Sequence, residues 1–443
     1  MYSGSSVVGN ALMTVLGEPP ALNEIIQKDK EPTVPTLTNQ DRQTINWIPW
    51  GDADDYPQRL DKKLRKVGVA LTAVDVNSNI HYGQGIGWFS KIAGPDGKRI
   101  LQPVDWPEWD TLAEDLCLPI HLGESIYSLE FMNIGFVEFV LTASKRGLAS
   151  VQLLDTGSCR FKKRNKNGII ESIYFNSEFG TVNPNKELLV EIPLYDKTKK
   201  TYEQPNKFVL PVFYRTLGNN FYPEPNIQAL IANGWISNAT KIPAYINAIY
   251  TNQIALKYHV SIPFMLLLEF AGTNAEKWAS LDLKDRLDWK LKLKTWIDDQ
   301  LTSEANAGKT IITYSLSDNG TEYEIKIEPI ESKLESSKEL PNAYAANAEI
   351  YAAFNLDPEL TGFGIPGGKT LSGSGSGKRE ALLLAQALRH REREVSLQII
   401  RLMKKILQED PAMNTPANIF PMYIDMDLQT LDVNPTGKQT VVG

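Results

Sequence analysis

The chain has 443 residues and a formal net charge of −7, with 46 Lys and Arg against 53 Asp and Glu. Its hydrophobic share of 42% and charged share of 22% are ordinary for a soluble globular protein, and the length predicts about two or three structural units. The negative net charge argues against a sequence-specific DNA-binding protein, because such a protein needs a basic face. It is compatible with a protein that DNA slides past, for which weak attraction is an advantage. No window is apolar enough to span a bilayer, and Met1 to Leu16 lacks the pattern of a secretory signal, so no membrane contact is expected.

The first part of the chain is predicted to be an arm followed by an α+β body. Residues 1–40 are rich in Pro, Thr and Ser, which favours an extended arm. A helix is predicted from Gln58 to about Val67, after an acidic turn interpreted as solvated. Apolar alternation or apolar runs predict strands at Val69 to Phe89, Ile126 to Val140, Val151 to Asp155, Val190 to Leu194 and Phe208 to Leu210. Arg160 to Ile170 is predicted to be a hairpin with an Asn-Gly turn and a solvated basic tip.

The middle of the chain is predicted to be a compact insert between two helices that lead out and back. The outgoing helices are Ile227 to Ser237 and Pro243 to Tyr258, with Pro243 in a first turn. The returning helix follows Pro329, breaks near Pro341 and ends at Phe354. The insert itself is predicted to contain a strand at Ile262 to Glu269, a helix at Leu283 to Leu301, and a hairpin of Thr310 to Leu316 and Glu322 to Ile327 that turns at Asp318-Asn319-Gly320.

A Gly-Ser segment followed by a long helix dominates the last part of the chain. Gly and Ser at the density found between Gly367 and Gly377 predict a mobile loop, because such a segment buries too little apolar surface to offset its ordering entropy. A rod of roughly 30 residues and about 45 Å is predicted behind it. Its apolar stripe is Leu384, Leu388, Val395, Ile399, Leu402 and Ile406. A strand is predicted at Phe420 to Leu428.

The sequence predicts neither a catalytic nor a metal site, and no cofactor. Gly308-Lys309-Thr310 and Gly368-Lys369-Thr370 both lack the earlier glycine of a phosphate-binding loop, and Gly377-Lys378 has Arg379 where Ser or Thr would bind magnesium. The histidines His81, His121, His259 and His390 are far apart in sequence and lack ligand spacing. Cys117 and Cys159 are interpreted as buried, reduced thiols of a cytoplasmic protein.

These motifs, in this order, resemble the portal proteins of tailed bacteriophages. The resemblance covers roughly Trp47 to Leu407 and depends on Asp357-Pro358-Glu359-Leu360-Thr361-Gly362, the run Gly373 to Gly377, and Arg379-Glu380. Asn306-Ala307-Gly308-Lys309 and the Arg160 to Ile170 hairpin are also similar. Each motif is weak alone, and their order together with the out-and-back insert is specific.

The resemblance implies a subunit with an α/β wing, a helical stem, a small clip of strands and helix, a tunnel loop and a long wing helix. The implied divisions are an arm at 1–40, wing at 41–240, first stem helix at 241–259, clip at 260–331, second stem helix at 332–354, tunnel loop at 355–377, wing helix at 378–409, and a tail or short crown at 410–443. The tunnel loop would present Lys369, Ser372, Ser374, Ser376, Lys378 and Arg379 to DNA, with Gly373, Gly375 and Gly377 as its hinge.

The same resemblance implies a ring of about twelve copies at one capsid vertex, through which double-stranded DNA of any sequence is packaged and later ejected. The implied partners are the terminase large subunit, the major capsid protein and a head-completion or adaptor protein, in the virion and, during assembly, in the host cytoplasm. Two alternatives remain open. A phosphate-binding enzyme that uses the Gly-rich loop would bind nucleotide as a monomer, and a monomeric DNA-binding adaptor would show a basic patch and form no ring.

Overall fold

The structure is a computed structural model that describes most of the chain. The described residues are 5–8, 11–14, 36–93, 99–181, 184–218, 221–255, 258–302, 316–318, 321–323, 326–329, 340–361 and 375–427. By contact density the chain divides into two compact units, residues 1–243 with 339–443, and residues 244–338. The division into wing, stem, clip and tunnel loop stays a prediction.

Helices and short antiparallel strands alternate along the chain, in agreement with the predicted α+β class. The helices are α1 (Asn39–Thr44), α2 (Tyr56–Leu64), α3 (Gly68–Tyr82), α4 (Pro107–Asp115), α5 (Leu118–Met132), α6 (Ile227–Ala232), α7 (Trp235–Ala255), α8 (Phe264–Phe270), α9 (Ala275–Ser280), α10 (Leu283–Thr302), α11 (Leu340–Ala353), α12 (Gly375–Leu388) and α13 (His390–Leu407). The strands are β1 (Ser5–Val8), β2 (Ala11–Thr14), β3 (Ile86–Ala93), β4 (Arg99–Pro103), β5 (Ile134–Leu141), β6 (Leu148–Leu154), β7 (Cys159–Phe161), β8 (Ser172–Phe175), β9 (Val190–Pro193), β10 (Lys207–Phe213), β11 (Tyr258–Ser261), β12 (Leu316–Asp318), β13 (Thr321–Tyr323), β14 (Lys326–Pro329) and β15 (Ile419–Tyr423).

The core of the larger unit lies between helices and a sheet of order β10-β5-β6. Strand β5 is its centre, with Phe139 opposite Phe208 on β10 and Val151 on β6, so its alternate side chains are buried on both faces. Helix α5 and helix α13 supply apolar side chains such as Ile126 and Ile400 to this core. Two further antiparallel sheets have the orders β15-β3-β4 and β7-β8-β9.

The smaller unit has its own small core. Leu267 and Leu268 of α8 pack with Trp278 of α9 and Leu293 of α10. Strand β11 pairs with β14, and β12 pairs with β13 as a tight hairpin, with Asp318 opposite Thr321. This pairing agrees with the predicted hairpin, while Asn319 and Gly320 of its turn and the predicted strand residues 310–315 lie outside the described residues.

Two segments predicted as strands begin as helices. Residues of the predicted strand Val69 to Phe89 form α3 and then β3, because the buried face of α3 includes the polar Asn77, Ser78 and His81 and its sequence therefore shows no clear apolar stripe. Gly83 ends α3 with φ +59, and a Cβ there would lie 2.2 Å from the Ile424 carbonyl oxygen. The predicted strand Ile126 to Val140 is likewise the end of α5 followed by β5.

The smaller unit and its entry helix correct two further predictions. The apolar run Ile262 to Glu269 is helix α8 rather than a strand; short apolar runs do not distinguish the two structures. Pro243 lies inside α7 instead of in a first turn, since α7 already begins at Trp235. Helix α10 agrees with its prediction.

The long helix is kinked rather than straight. Helix α12 ends at Leu388 and α13 begins at His390, and the Arg389 amide donates to the carbonyl oxygens of both Ala385 and Gln386, each at 3.2 Å. As a result the predicted stripe divides. Its α13 members are buried or half-buried, whereas Leu384 and Leu388 are exposed.

The hairpin Arg160 to Ile170 is confirmed, but its first residue is not on the tip. Strands β7 and β8 pair with Arg160 opposite Tyr174, and Asn165 and Ile169 close the Asn-Gly turn. The Arg160 side chain is buried, and its Nε lies 2.5 Å from an Asp54 carboxylate oxygen. Asp54 is thus a buried partner rather than part of a solvated turn.

Cys117 also differs from its prediction. It is exposed, with φ +48 at the start of α5, whereas Cys159 is buried as expected.

Candidate assembly and channel face

The structure describes part of the predicted channel loop. Lys369, Ser372, Gly373 and Ser374 belong to residues 362–374 and lie outside the described residues. Gly375, Ser376, Gly377, Lys378 and Arg379 form the beginning of α12. The helix therefore starts earlier than the predicted Lys378, and two of the three proposed hinge glycines are helical.

The described residues on either side of this segment lie next to each other. A 3₁₀ turn, Pro358–Thr361, precedes the segment, and α12 follows it. A Cβ placed on Gly377 would lie 2.7 Å from the Glu359 Oε2 atom, so glycine allows this approach. Thr361 and Gly375, the described residues that flank positions 362–374, thus belong to neighbouring parts of the larger unit.

Residues before the 3₁₀ turn are packed against the larger unit. Asn355 adopts φ +49 after α11, which lets Leu356 turn into a cluster with Ala73, Tyr351 and Leu382. The Leu356 amide donates to the Tyr351 carbonyl oxygen at 3.0 Å. Asn77 of α3 donates to the Phe354 carbonyl oxygen at 2.8 Å. The loop therefore begins from a packed base.

Two of the predicted DNA-contacting charges lie on this base. Lys378 is exposed and Arg379 is half-buried, with an interaction of its own within the subunit. Lys378 is therefore the more accessible of the two charges.

One face of α12 exposes leucines to solvent. Leu383 is 65% exposed, Leu384 60% and Leu388 53%. The opposite face buries Ala381, Leu382 and Gln386, and the Gln386 amide donates to the Met426 carbonyl oxygen at 3.1 Å. Leu384 and Leu388 are four residues apart and therefore neighbours on one side of α12, and Leu383 follows around the helix; the three form an exposed apolar patch, hereafter the leucine face.

A buried ionic network holds the kink next to the leucine face. Arg389 Nη1 lies 2.6 Å from Glu130 Oε2 on α5, and His81 Nδ1 lies 2.9 Å from Glu130 Oε1. His81 Nε2 is 2.8 Å from the Ser396 hydroxyl oxygen. Burial alone would raise the pKa of Glu130, but the hydrogen bond with His81 and the nearby Arg389 hold that pKa below its ordinary value. The carboxylate therefore stays charged and fixes α12 and α13 to α3 and α5.

Arg393 extends this network to the last strand. Its guanidinium donates to the carbonyl oxygens of Ile80 and His81 at 2.9 and 3.0 Å and lies 2.5 Å from an Asp425 carboxylate oxygen. Sequence reasoning missed these residues. The sequence did contain a signal for them. Arg389 and Arg393 are four residues apart and follow the helical spacing of the buried residues of α13, not that of its polar side.

Within the part of the chain that the structure describes, no group of His, Cys, Asp and Glu could hold a metal ion. None of the described helices is both long and apolar enough to cross a membrane.

Comparisons with known proteins find solved structures of similar fold but no matching sequence family. No protein-family model matches the chain, and no curated protein matches its sequence. A chain of the virion of a native gene transfer agent particle is 13% identical, with a TM-score of 0.50, over 85% of this chain and 84% of that one. A chain of the neck of an empty gene transfer agent particle is 13% identical, with a TM-score of 0.50, over 84% of this chain and 85% of that one. Identity this low establishes similarity of fold alone.

Proposed function

We propose that this chain is a portal-type subunit that forms a ring at one capsid vertex and conducts double-stranded DNA. The observation that carries the proposal is the similarity of fold to virion and neck chains of gene transfer agent particles over more than four fifths of each chain. The order of the sequence motifs supports the same role. About twelve copies per ring is the number that the portal resemblance implies.

A second copy of this chain is the proposed occupant of the leucine face. The similar neck structure was computed with C6 symmetry, which supports a cyclic assembly. A ring places the same surface of every subunit against a different surface of its neighbour, so an apolar face that stays open in one subunit can be covered in the assembly. The three exposed leucines are proposed for that contact, since Leu382 and Gln386 on the other side of α12 are already buried.

The channel function is proposed for the loop that joins α12. Lys378 would contact DNA phosphates together with Arg379 and Lys369, and Ser372, Ser374 and Ser376 would add weaker polar contacts. Gly373 with Gly375 and Gly377 would let the segment change its path. In this role the terminase large subunit, the major capsid protein and a head-completion or adaptor protein are the proposed partners, and no catalytic activity is proposed.

Electron microscopy of the purified full chain tests the proposal. Rings with a central opening are expected, with a mass about twelve times the subunit mass of 49.6 kDa. A monomer that binds nucleotide would overturn the proposal in favour of the phosphate-binding enzyme. A monomer that binds DNA through a basic patch would overturn it in favour of the adaptor.

A further inference from the structure

A small groove separates α2 from α6 in the larger unit. Tyr56, Arg59, Leu60 and Lys63 line it from α2, at helical spacing that places all four on one face. Gln228 and Ile231 line it from α6, one turn apart. Its volume of about 200 Å³ is below the range of about 300–1,000 Å³ typical of drug-sized ligands, so it suits a small ligand.

Two cationic side chains line the groove, and their positive charges can attract an anionic ligand. Arg59 Nη1 lies 3.9 Å from an Asp55 carboxylate oxygen, at the outer limit of an ion pair, and its side chain is 43% exposed. Among the described residues, Lys63 has no carboxylate within ion-pair distance, whereas Arg65 on the same helix pairs with Asp61 at 2.8 Å. In the groove, the Arg59 guanidinium is therefore only weakly paired with a carboxylate, and the Lys63 ammonium is unpaired among the described residues.

The tyrosine of the groove supplies an independent indication of a ligand. Tyr56 is 8% exposed, and its buried hydroxyl has no hydrogen-bond partner among the described residues. Burial, and then the charge of Glu224, raise the pKa of Tyr56, so its hydroxyl remains a donor at neutral pH. A buried hydroxyl without a partner costs stability, and a bound acceptor would recover that cost.

We propose that this groove binds a phosphate group, held by Arg59, Lys63 and the Tyr56 hydroxyl with the Gln228 amide as a further donor. Phosphate offers more acceptor oxygens than a carboxylate, which matches donors that converge from two helices. Asp55 and Glu224 lie near the groove and repel an anion, so binding depends on the two cations Arg59 and Lys63. The proposal does not rest on the proposed portal function.

Calorimetric titration of the full chain tests this site. The probes are inorganic phosphate, glycerol 1-phosphate and acetate, in chloride buffer of constant ionic strength. Saturable binding with one site per chain is expected for phosphate, and binding of glycerol 1-phosphate at similar affinity would show that the group is taken as an ester. Acetate is expected to bind at least tenfold more weakly. Arg59→Gln and Lys63→Gln should each weaken phosphate binding about tenfold, since each removes a charge-assisted hydrogen bond.

Two variants separate a specific site from general attraction. Lys62→Gln removes the same charge from an exposed neighbour on α2 and should leave the affinity unchanged. Tyr56→Phe should weaken phosphate binding about threefold yet leave the melting temperature without phosphate unchanged or higher, because it removes an unsatisfied hydroxyl. Phosphate should raise the melting temperature of the unsubstituted chain and of Lys62→Gln more than that of Arg59→Gln. Absence of saturable binding, or equal weakening by Lys62→Gln and Lys63→Gln, would overturn the proposal.

Discussion

At the scale of single residues, Asp54 neutralises a guanidinium that solvent does not reach. Its carboxylate accepts from the Arg160 Nε at 2.5 Å, the Trp47 indole at 2.8 Å and the Trp50 amide at 2.7 Å. The Arg160 side chain also lies over the rings of Trp50 and Phe179. One carboxylate therefore joins the segment before α2 to strand β7.

We predict that Asp54→Ala lowers the free energy of unfolding by about 3–5 kcal/mol, because it leaves the Arg160 charge buried without its partner. Denaturant titration monitored by tryptophan fluorescence measures the change. Asp52→Ala is the matched control. Its side chain is 85% exposed and pairs loosely with Arg42 at 3.5 Å, so the free energy should hardly change. Equal effects of the two substitutions would contradict the assigned role of Asp54.

Glu130 makes the stability of the fold depend on pH. Its pKa is lower in the folded chain than in the unfolded chain, so its contribution to stability is complete above the unfolded value of roughly pH 4 and is lost as pH falls through the folded value. The groups that face this carboxylate are His81, Arg389 and, at 3.4 Å, the Tyr214 hydroxyl. Part of the acid sensitivity is therefore expected to come from this site.

We predict that Glu130→Gln costs about 3 kcal/mol at neutral pH and flattens the fall in stability below roughly pH 4. Unfolding curves recorded across that pH range measure both effects. Glu124→Gln on the same helix is the control, because Glu124 is 53% exposed beside His121 and should leave the pH profile as it was. If the stability of Glu130→Gln falls with decreasing pH as steeply as that of the unsubstituted chain, other carboxylates are responsible for the pH dependence.

At the scale of elements, the kink between α12 and α13 is notable because Arg389 is neither proline nor glycine. Kinks commonly follow those residues, and a sequence without them predicts a straight rod. Here the Arg389 side chain reaches Glu130 on α5, while the leucine face turns away from the core. The ion pair depends on a residue far away in sequence, which is why local pattern did not reveal it.

The same reasoning explains which elements the sequence predicts well. Strands β9 and β10 and the hairpin of β7 and β8 have strand-forming or turn residues, and helix α10 is long and rich in charged residues; the structure confirms these four elements. The predictions for α3 and α8 fail because α3 carries polar residues on its buried face and α8 is short and apolar, so neither sequence shows a helical apolar stripe. Leu384 and Leu388 of the leucine face were predicted as part of one apolar stripe, because periodicity marks an apolar side without saying what covers it.

We predict that Leu384→Gln with Leu388→Gln weakens assembly by at least tenfold in subunit affinity, while the stability of the separate subunit hardly changes. Each leucine would lose about 1.5–3 kcal/mol of burial in a ring, and a tenfold change needs about 1.4 kcal/mol. Sedimentation velocity across a concentration series measures the shift. Ile120→Gln is the control, since Ile120 is 62% exposed on α5, away from α12 in sequence. Unchanged assembly of the double variant would place the subunit contact elsewhere.

At the scale of the whole molecule, the acidic net charge of −7 and the cations Lys378 and Arg379 would have opposite effects on DNA in the proposed channel. A channel of this kind must attract phosphates enough to guide the duplex and too weakly to stop it. The larger unit presents Lys378 beside the two described ends of the loop, on a base packed by Leu356 and Leu382. Loss of these charges should therefore affect DNA passage without affecting the packed base.

We predict that Lys378→Ala with Arg379→Ala leaves rings intact but lowers the amount of DNA packaged or retained per particle. Arg379 has an interaction within the subunit, so ring formation and thermal stability are measured first, by electron microscopy and by calorimetry. Quantifying packaged DNA after nuclease treatment then tests the channel role. Lys166→Ala with Lys186→Ala removes the same charge from exposed sites of the larger unit and should leave packaging unchanged. Failure of the first pair to form rings would assign these residues to the subunit interface, and full packaging by that pair would remove them from the channel.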